Sequence, residues 1–508
     1  MSPVRRILIY TLLLIIWAAS LPACQSSRAA QPEHSPPPTQ SPAEALTGRV
    51  ETSIIETPLP ARSSEIKTAT PMSSVPPLPL TKYTLSATLD YDLHTVAVAE
   101  TIDYVNRTGT ELPDLILLVE PNRYLGGFTL EELRWGDGET INSYSLNGAV
   151  LAIPLEQPLP SDGSTRLTLD YTMSLPNQTS PFGYTSRQTN LGDWYPYVPP
   201  YVPGEGWLVR EDAFYGEHLA YEMAIFEVEV RLARPHAASG KPLIIAASSL
   251  PISDGEVYRY QHGPARNFVW TVSDQYLVQE TTVDGFLVKS YAFPFHPLAE
   301  GPALEETAKA LALFNQIYSP YSHQALSVVE ADFLDGMEFD GLIFLSHAFY
   351  DYYTGDQKSN LTIIAAHEVA HQWFYGLVGN DQAMEPWLDE ALSTFSELLF
   401  YENVYPNLAQ WWWENRIAFH DPQGWVDSTI YDAAGFYPYR NAIYLRGAMF
   451  LIELREMMGK EPFLAFVRDY LQKYSYRQAT GNDFFDLLTS HTQNDLTDLI
   501  GEYFSKRR

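Results

Sequence analysis

The chain has almost no cysteine and is short of basic residues. Cys24 is the only cysteine among 508 residues, so no disulfide can form within the chain. Lysine and arginine together number 32 against 62 aspartates and glutamates, which gives a formal net charge of −30. Binding to nucleic acid needs a basic stripe that neutralises phosphates, and the sequence shows none. We therefore expect no nucleic-acid partner.

A long apolar run is also missing. At the amino end, two arginines precede an apolar run from Ile7 to about Ala19, which is too short to span a bilayer comfortably. A basic start, a short apolar run and small residues before Cys24 are typical of an export signal. The phrase "LPAC" resembles the lipobox of bacterial lipoproteins. It implies a signal peptide over residues 1–23 and an extracytoplasmic protein anchored to a membrane by a lipid on Cys24; the alternative is an ordinary secretory signal with a chance cysteine.

The composition then changes twice along the chain. Residues 24–80 are rich in Pro, Ser and Thr and show no apolar periodicity, which predicts a semi-extended tether. From residue 81 to residue 294, apolar and polar residues alternate, as in "YTLSATLDY", where Tyr83, Leu85 and Ala87 share one face. This alternation, with frequent turn signals, predicts an antiparallel β domain with one face in water.

From residue 295 to residue 508 the apolar period becomes helical. Leu304, Ala308, Leu311 and Phe314 lie on one stripe of a predicted first helix. Two short strands are predicted near 326–330 and 341–345, followed by helices over 362–375 and 386–401 and a mostly helical remainder. The sequence therefore predicts a multidomain fold with an N-terminal antiparallel, β-sandwich-like domain and a C-terminal α+β domain that ends in helices.

The predicted 362–375 helix carries the phrase "AAHEVAHQWFYG". Residues four apart on a helix lie one turn above each other, so His367 and His371 present two imidazoles to one point. This arrangement suits Zn²⁺, and Glu368 lies where it could reach a water on the metal. The alternative is a polar patch on a helix without catalytic function.

A catalytic zinc site needs a third protein ligand. Eighteen residues separate His371 from Glu390, which stands in "WLDEALSTFSE" on the next predicted helix. If the two helices pack side by side, Glu390 completes a three-ligand site and leaves one position for water. The two phrases at this spacing are far more specific than the first phrase alone.

These phrases resemble the gluzincin aminopeptidases of the aminopeptidase N and leukotriene hydrolase family. "DGMEFDGLIF" is similar to the family's G-A-M-E-N-W-G-L-I stretch, and "IYLRGAMFLIEL" is similar to its Y-x-K-G-A phrase. The resemblance implies a thermolysin-like catalytic domain over 295–508 and one Zn²⁺ held by His367, His371 and Glu390. It also implies an aminopeptidase that hydrolyses the N-terminal peptide bond of peptides.

The resemblance also implies roles for individual residues. Glu368 would be the general base that takes a proton from the zinc-activated water, and Tyr444 would stabilise the developing oxyanion. Glu338, with Gly336 and Met337 beside it, would bind the substrate, and its carboxylate would hold the free α-amine.

The sequence departs from the family at several positions. Phe339 and Asp340 replace Asn and Trp, Asp389 replaces Asn, and Tyr375–Gly376 stands where Gly–Asn is usual. The second amine-binding residue of the family has no clear match, with Gln188 as a candidate. Two other functions therefore stay open: a thermolysin-like endopeptidase with an open cleft, and a surface protein that binds peptides without cleaving them.

Overall fold

The computed structural model describes residues 79–506. The signal peptide, the lipidation site at Cys24 and most of the tether lie outside this range, so those predictions remain untested. Among the described residues, no helix combines the length and the apolar character needed to cross a membrane.

The first half of the described chain consists of strands, as predicted. In order they are β1 (Thr81–Asp90), β2 (Thr95–Val105), β3 (Leu112–Leu118), β4 (Phe128–Trp135), β5 (Ser145–Asn147), β6 (Val150–Leu159), β7 (Ser164–Ser174), β8 (Phe182–Tyr184), β9 (Thr189–Leu191), β10 (Tyr201–Val202), β11 (Gly206–Trp207), β12 (Ala224–Leu232), β13 (Ile244–Ala247), β14 (Pro251–Ser253), β15 (Tyr258–Ala265) and β16 (Trp270–Ser273). A 3₁₀ turn, Glu120–Arg123, follows β3.

A seven-stranded sheet in the order β14-β15-β12-β1-β2-β7-β4 and a three-stranded sheet in the order β3-β6-β5 share one apolar core, which confirms the sandwich-like prediction. The alternation in β1 buries Tyr83, Leu85 and Ala87 and leaves the residues between them towards water. The pairing is mostly antiparallel, but β1 pairs with β12 in parallel, so the sheet is mixed. The remaining strands form a sheet in the order β13-β16-β9-β8 and a β10-β11 pair.

A five-stranded sheet crosses the predicted boundary at residue 294. It contains β17 (Leu277–Val283), β18 (Phe286–Ala292), β19 (Ala325–Ala331), β20 (Gly336–Met337) and β21 (Leu342–Ser346), in the order β17-β18-β19-β21-β20. Two strands before residue 294 thus belong to the same sheet as three strands after it, because β18 pairs with β19 in parallel. The domain limits remain predictions. The five-stranded sheet, which has β20 at one edge, begins in sequence at Leu277, before the predicted boundary.

The second half is mainly helical. Its helices are α1 (Glu300–Ile317), α2 (His347–Asp351), α3 (Asn360–Ala370), α4 (Trp387–Val404), α5 (Ala409–Trp412), α6 (Phe436–Arg440), α7 (Arg446–Met458), α8 (Lys460–Tyr474), α9 (Gly481–His491) and α10 (Thr497–Tyr503). Short 3₁₀ turns cover Pro406–Leu408 and Ala418–His420, and π-helical turns cover Trp413–Ile417 and Asn441–Leu445. A two-stranded pair joins β22 (Val378–Gly379) to β23 (Arg477–Gln478).

Packing in this half follows the predicted stripes. Leu304, Ala308, Leu311 and Phe314 of α1 are all buried in one core with α3, α4, α7 and α8. Every residue of α3 from Leu361 to Ala370 is buried, because the helix lies between α1, α4 and the five-stranded sheet.

Contacts of the Tyr375 side chain explain how a tyrosine can stand where the family usually has glycine. Its φ is 139°, a region that favours glycine, and such strain costs about 1–3 kcal/mol. The tyrosine is held there because its ring is buried in the β-half core and its hydroxyl accepts a hydrogen bond of 2.6 Å from Asn267 Nδ2. Its carbonyl also accepts a hydrogen bond from the buried Arg266 guanidinium.

Replacing the Tyr375 hydroxyl tests this anchoring. Tyr375→Phe keeps the ring but leaves one amide hydrogen of the buried Asn267 without a partner. We expect a loss of about 1–3 kcal/mol in the free energy of unfolding, measured by urea titration. Tyr437→Phe, at a ring that is 70% exposed, should change stability by less than about 0.5 kcal/mol. Equal stability of both variants would contradict the anchoring.

Candidate metal and peptidase centre

The two motif histidines lie at the end of α3. The helix starts at the N-cap Ser359, whose hydroxyl accepts a hydrogen bond from the Thr362 N–H. It ends at Ala370 with His371 as its C-cap, so the predicted end at Tyr375 is five residues too late. A wider turn follows in place of the α-helix: the N–H groups of Gly376, Leu377 and Val378 each donate to the carbonyl five residues earlier.

The structure brings the three predicted metal ligands together. His367 Nε2 lies 3.1 Å from Glu390 Oε2 and 3.1 Å from His371 Nε2, and His371 Nε2 lies 3.5 Å from Glu390 Oε2. Ligand atoms at ordinary bond lengths around a tetrahedral zinc are separated by about 3.3 Å. The three atoms therefore form a triangle of the size that zinc requires.

Hydrogen bonds to the other ring nitrogens fix which histidine atoms face this triangle. His371 Nδ1 lies 3.0 Å from the carbonyl of Phe374, which can only accept, so Nδ1 carries the hydrogen. His367 Nδ1 lies 2.9 Å from Glu397 Oε1, which also accepts. In neutral imidazoles, both Nε2 atoms then carry lone pairs directed at the same point, as metal ligands require.

The electrostatics of the triangle also fit a cation. Burial alone would raise the pKa of Glu390, but its hydrogen bonds with His367 and His371 hold that pKa at about 2. Burial alone would lower the pKa of His367, but hydrogen bonds with Glu390 and Glu397 raise it to about 9. A positive charge, either a proton on His367 or a metal ion that displaces it, therefore stabilises the triangle, and a donor set of two imidazole nitrogens and one carboxylate oxygen fits one Zn²⁺.

Glu397 contacts His367, one of the three predicted metal ligands, on the ring side away from the metal position. It is fully buried on α4 and accepts hydrogen bonds from Trp412 Nε1 at 2.9 Å and from the Arg416 guanidinium at 2.8 and 2.9 Å, as well as contacting His367. Burial would raise its pKa, but Arg416 and His367 hold it below its usual value. Glu397 thus remains a carboxylate that orients His367 towards the metal position.

Glu368, the predicted general base, lies against strand β20. It is 4% exposed, and its Oε2 is buried without a hydrogen-bond partner in the protein. A β-carbon added to Gly336 would lie 2.0 Å from Glu368 Oε1, so a larger residue at position 336 would displace the Glu368 carboxylate. Burial raises the pKa of Glu368 well above its usual value. Gly336 therefore leaves room for the Glu368 carboxylate next to the edge of the sheet.

Tyr444 reaches the same centre. Its hydroxyl donates a hydrogen bond of 2.6 Å to Glu390 Oε1, the oxygen that does not face the histidines. Its ring lies parallel to that of His367, with centroids 5.8 Å apart. The predicted oxyanion donor is thus in the site, where it bonds a predicted metal ligand.

Glu338 follows β20 and faces a group of buried acids. Its Oε1 accepts a hydrogen bond of 3.0 Å from Gln382 Nε2, which also donates to Asp389 Oδ2 at 2.9 Å. Ligand atoms of Glu338, Glu390 and the half-buried Glu217 lie within 4.8 Å of one another. Burial first, and then the neighbouring carboxylates, raise the pKa of Glu217 well above its usual value and that of Asp389 to about 8. A further cation in the pocket beside the metal position would therefore stabilise the ionised forms of these acids.

Two backbone anchors position the segment that follows Glu338. Gln372, directly after His371, donates from Nε2 to the Phe339 carbonyl at 3.1 Å and accepts from the Gly341 N–H at 2.9 Å. This amide therefore links the metal-binding turn to the edge of the sheet. Met337, next to Glu338, packs against a hydrophobic cluster that contains Phe333, Phe339 and Phe344.

A second histidine cluster contains Asp340, the residue in place of the family's tryptophan. His323 Nε2 lies 2.5 Å from Asp340 Oδ1, and His262 Nε2 lies 3.2 Å from the Asp340 carbonyl. Asp340 Oδ2 accepts from the Arg266 backbone N–H at 2.9 Å. Both of these ring nitrogens face acceptors, so they are hydrogen-bond donors, and the cluster is satisfied without a metal.

The structure does not place Gln188 in the site. Its side chain donates to Tyr276 Oη and to the Glu330 carbonyl and accepts from the Asp332 N–H. The Gln188 side chain therefore bonds to the backbone at the end of β19. Near Glu338, the residue contributed by the β-half is Glu217, whose carboxylate oxygen lies within 4.8 Å of one of Glu338.

Glu217, Gln382 and Glu397 were not predicted from the sequence. Glu397 follows Glu390 by seven residues on the same helix, a spacing that places both on one face, so periodicity could have indicated it. Glu217 and Gln382 lie in loops, and no local pattern indicates where loop residues fold back.

Removing the charge of Glu397 tests its support of the metal site. Glu397→Gln keeps the size of the side chain but weakens its bonds to His367 and Arg416. We expect zinc affinity, measured by competition with a chromophoric chelator, to fall about 10- to 100-fold. Glu402→Gln, on the same helix but paired with Arg455, should keep the wild-type affinity. Equal affinities for both variants would show that Glu397 does not orient the ligand.

Comparison with known proteins agrees with this geometry. Residues 302–503 match the family model described as the peptidase family M1 domain. Aminopeptidase N of Lactobacillus delbrueckii subsp. lactis is 26% identical over 246 residues, which cover 43% of this chain and 28% of that protein. Human endoplasmic reticulum aminopeptidase 2 is 29% identical over 245 residues, covering 45% and 25%. The chain thus matches less than a third of the length of these curated relatives.

A solved structure covers much more of the chain. A mutant M1 zinc metallopeptidase from Deinococcus radiodurans, bound to a Tyr-Ser-Ala substrate, superposes with a TM-score of 0.60 over 84% of this chain and 94% of its own, at 17% identity. This likeness shows that the strand-rich half and the helical half together have the M1 peptidase fold. Residues 302–503 therefore match a peptidase family M1 domain, in a chain that is similar to aminopeptidase N in sequence and to an M1 zinc metallopeptidase in fold.

Proposed function

We propose that the protein is a zinc-dependent aminopeptidase that removes single residues from the free N-terminus of peptides. The observation that carries this proposal is the adjacency of two sites: the His367–His371–Glu390 triangle and the acid pocket around Glu338. The structural relative from Deinococcus radiodurans was solved with the tripeptide Tyr-Ser-Ala, which supports peptides as the substrate class.

The spacing of the two sites supports removal of one residue at a time. The α-amine nitrogen and the carbonyl carbon of one residue are about 2.5 Å apart. Ligand atoms of Glu338 and Glu390 lie within 4.8 Å of each other. An ammonium held by Glu338 and Glu217 therefore leaves room for a single residue before the scissile carbonyl, and a blocked amine would leave both carboxyl groups without their cation.

The protein groups then divide the chemistry. Zinc, when bound, acts as a Lewis acid on the scissile carbonyl and on the attacking water. Glu368 accepts a proton from this water through its free oxygen and passes it to the leaving amine. Tyr444 stabilises the developing oxyanion by turning its hydroxyl from Glu390 towards the substrate. Gln382 keeps the Glu338 carboxylate aimed at the ammonium.

The cellular location of the protein is also part of this proposal. The basic start, the short apolar run and the "LPAC" phrase support export and a lipid on Cys24. The Pro-rich residues 24–80 would then hold the catalytic body away from the membrane surface. Loss of membrane association in Cys24→Ser would support this anchor.

A paired assay tests the activity. The zinc-loaded protein should hydrolyse aminoacyl amides and free peptides, lose this activity with a chelator and regain it with zinc. N-acetylated forms of the same peptides should be cleaved at least about 100-fold more slowly, because Glu338 and Glu217 lose their ammonium partner. The measurement is kcat/KM for each matched pair.

The controls separate the other two functions. Equal cleavage of blocked and free peptides would indicate an endopeptidase with an open cleft. Glu368→Gln should keep zinc and lose at least about 100-fold in kcat. Binding of peptides without turnover in the wild type would indicate a non-catalytic peptide-binding protein.

A further inference from the structure

Glu217 reaches the acid pocket on a long connection between β11 and β12. Residues 208–223, all of which the structure describes, form neither helix nor strand. Connections longer than about 12–15 residues without regular structure are uncommon in compact domains and are usually functional. Ligand atoms of Glu217, Glu338 and Glu390 nevertheless lie within 4.8 Å of one another. Carboxylates this close repel each other, so contacts outside the pocket must hold the connection in place.

One such contact joins the connection to the catalytic half. Tyr215, two residues before Glu217, is half-buried, and its hydroxyl donates a hydrogen bond to the carbonyl of Ala433. The Tyr215 ring packs against the buried ring of Tyr439, with the centroids 5.1 Å apart. The side chain of Tyr215 is therefore fixed at both its ring and its hydroxyl.

Gly216 brings the connection close to the same surface. Its φ of 76° lies in the region that favours glycine. A β-carbon added to Gly216 would lie 2.7 Å from Ile430 Cγ2 and 2.9 Å from Tyr439 Oη, so the backbone at this position lies directly against the catalytic half. Residues 215–217 thus have little room to move away from the pocket.

The segment that accepts the Tyr215 bond is itself held by hydrogen bonds. The N–H and the hydroxyl of Thr429 donate to Asp432 Oδ2 at 2.8 and 2.9 Å. The Ile430 N–H donates to the carbonyl of Ala383 at 3.0 Å. Ala433 directly follows Asp432, so its carbonyl is an acceptor with a defined position.

A second tyrosine makes the same kind of bond farther from Glu217. The hydroxyl of Tyr431, whose ring is exposed, donates to the carbonyl of Glu211 at 2.7 Å. Glu211 lies six residues before Glu217, and Tyr215 lies two residues before it. Both tyrosines therefore tie the same connection to the same segment of the catalytic half, at different distances along the chain from the carboxylate.

We propose that Tyr215 is a positioning residue that holds the Glu217 carboxylate beside Glu338, so that the two carboxylates share the α-ammonium of the substrate. This inference rests on the proposed aminopeptidase function and deepens it. Recognition of the free amine then depends on a contact between the two halves of the protein. Tyr215 acts through Glu217 and does not take part in metal binding or bond cleavage.

Removing the Tyr215 hydroxyl tests this role. Tyr215→Phe keeps the ring that packs against Tyr439. For zinc-loaded protein and the peptide Leu-Ala-Ala, we expect KM to rise about three- to tenfold, as for the loss of one hydrogen bond, while kcat and zinc affinity keep their wild-type values. The inhibition constant of N-acetyl-Leu-Ala-Ala should not change, because this peptide has no ammonium. Tyr431→Phe should change KM by less than about twofold.

A double-mutant cycle shows whether Tyr215 acts through Glu217. Glu217→Gln alone should raise KM for Leu-Ala-Ala at least about tenfold, because the ammonium loses one of its carboxylates. Adding Tyr215→Phe to Glu217→Gln should then change KM by less than about twofold, since the carboxylate that Tyr215 positions is gone. Melting temperature and zinc content of each variant confirm folding.

The outcomes separate this inference from the proposed function. An unchanged KM in Tyr215→Phe, an equal effect of Tyr431→Phe, or additive effects of Tyr215→Phe and Glu217→Gln would overturn the positioning role and leave the aminopeptidase function intact. An unchanged KM in Glu217→Gln would remove Glu217 from amine binding and overturn the inference. No hydrolysis of any free-amine peptide by zinc-loaded wild type would overturn the proposed function and this inference with it.

Discussion

Burial of several carboxyl groups around one point constrains the whole site. Glu338, Glu368, Asp389 and Glu390 are each at most 4% exposed, and Glu217 faces them from the β-half. Such groups repel one another in a medium of low dielectric, so burial raises the pKa of all but Glu390. Cations would relieve this repulsion: zinc at the histidines and, in the proposed function, the ammonium of a substrate at Glu338. The same electrostatic demand thus accounts for the metal and for the proposed preference for a free amine.

Buried polar side chains hold this arrangement in place. Glu397 and Arg416 fix His367, and Gln372 ties the metal-binding turn to the segment after Glu338. Arg266 links the two halves, because its guanidinium donates to the carbonyls of Tyr221 in the β-half and of Tyr375 and Arg477 in the catalytic half. These bonds preorganise the site before the substrate arrives, which is the condition for positioning reactive groups within tenths of an ångström.

Much of this could be predicted from the sequence because periodicity and spacing are local properties. Alternation in β1, the stripe on α1 and the histidines four apart each specify a face of one element, and the structure confirms them. The end of α3 was placed too late, because the wide turn after Ala370 depends on tertiary contacts of Tyr375 with Asn267 and Arg266. Glu217 and Gln382 are brought to the site by contacts with residues distant in sequence, and the mixed sheet arises from a β1–β12 pairing across more than a hundred residues.

The central claim is that His367, His371 and Glu390 form the zinc centre. Anomalous diffraction at the zinc edge, from crystals of the zinc-loaded protein, tests it most directly. We predict one strong peak about 2.0–2.2 Å from His367 Nε2, His371 Nε2 and Glu390 Oε2. A peak at the His262–His323–Asp340 cluster instead, or no peak near α3, would contradict the account.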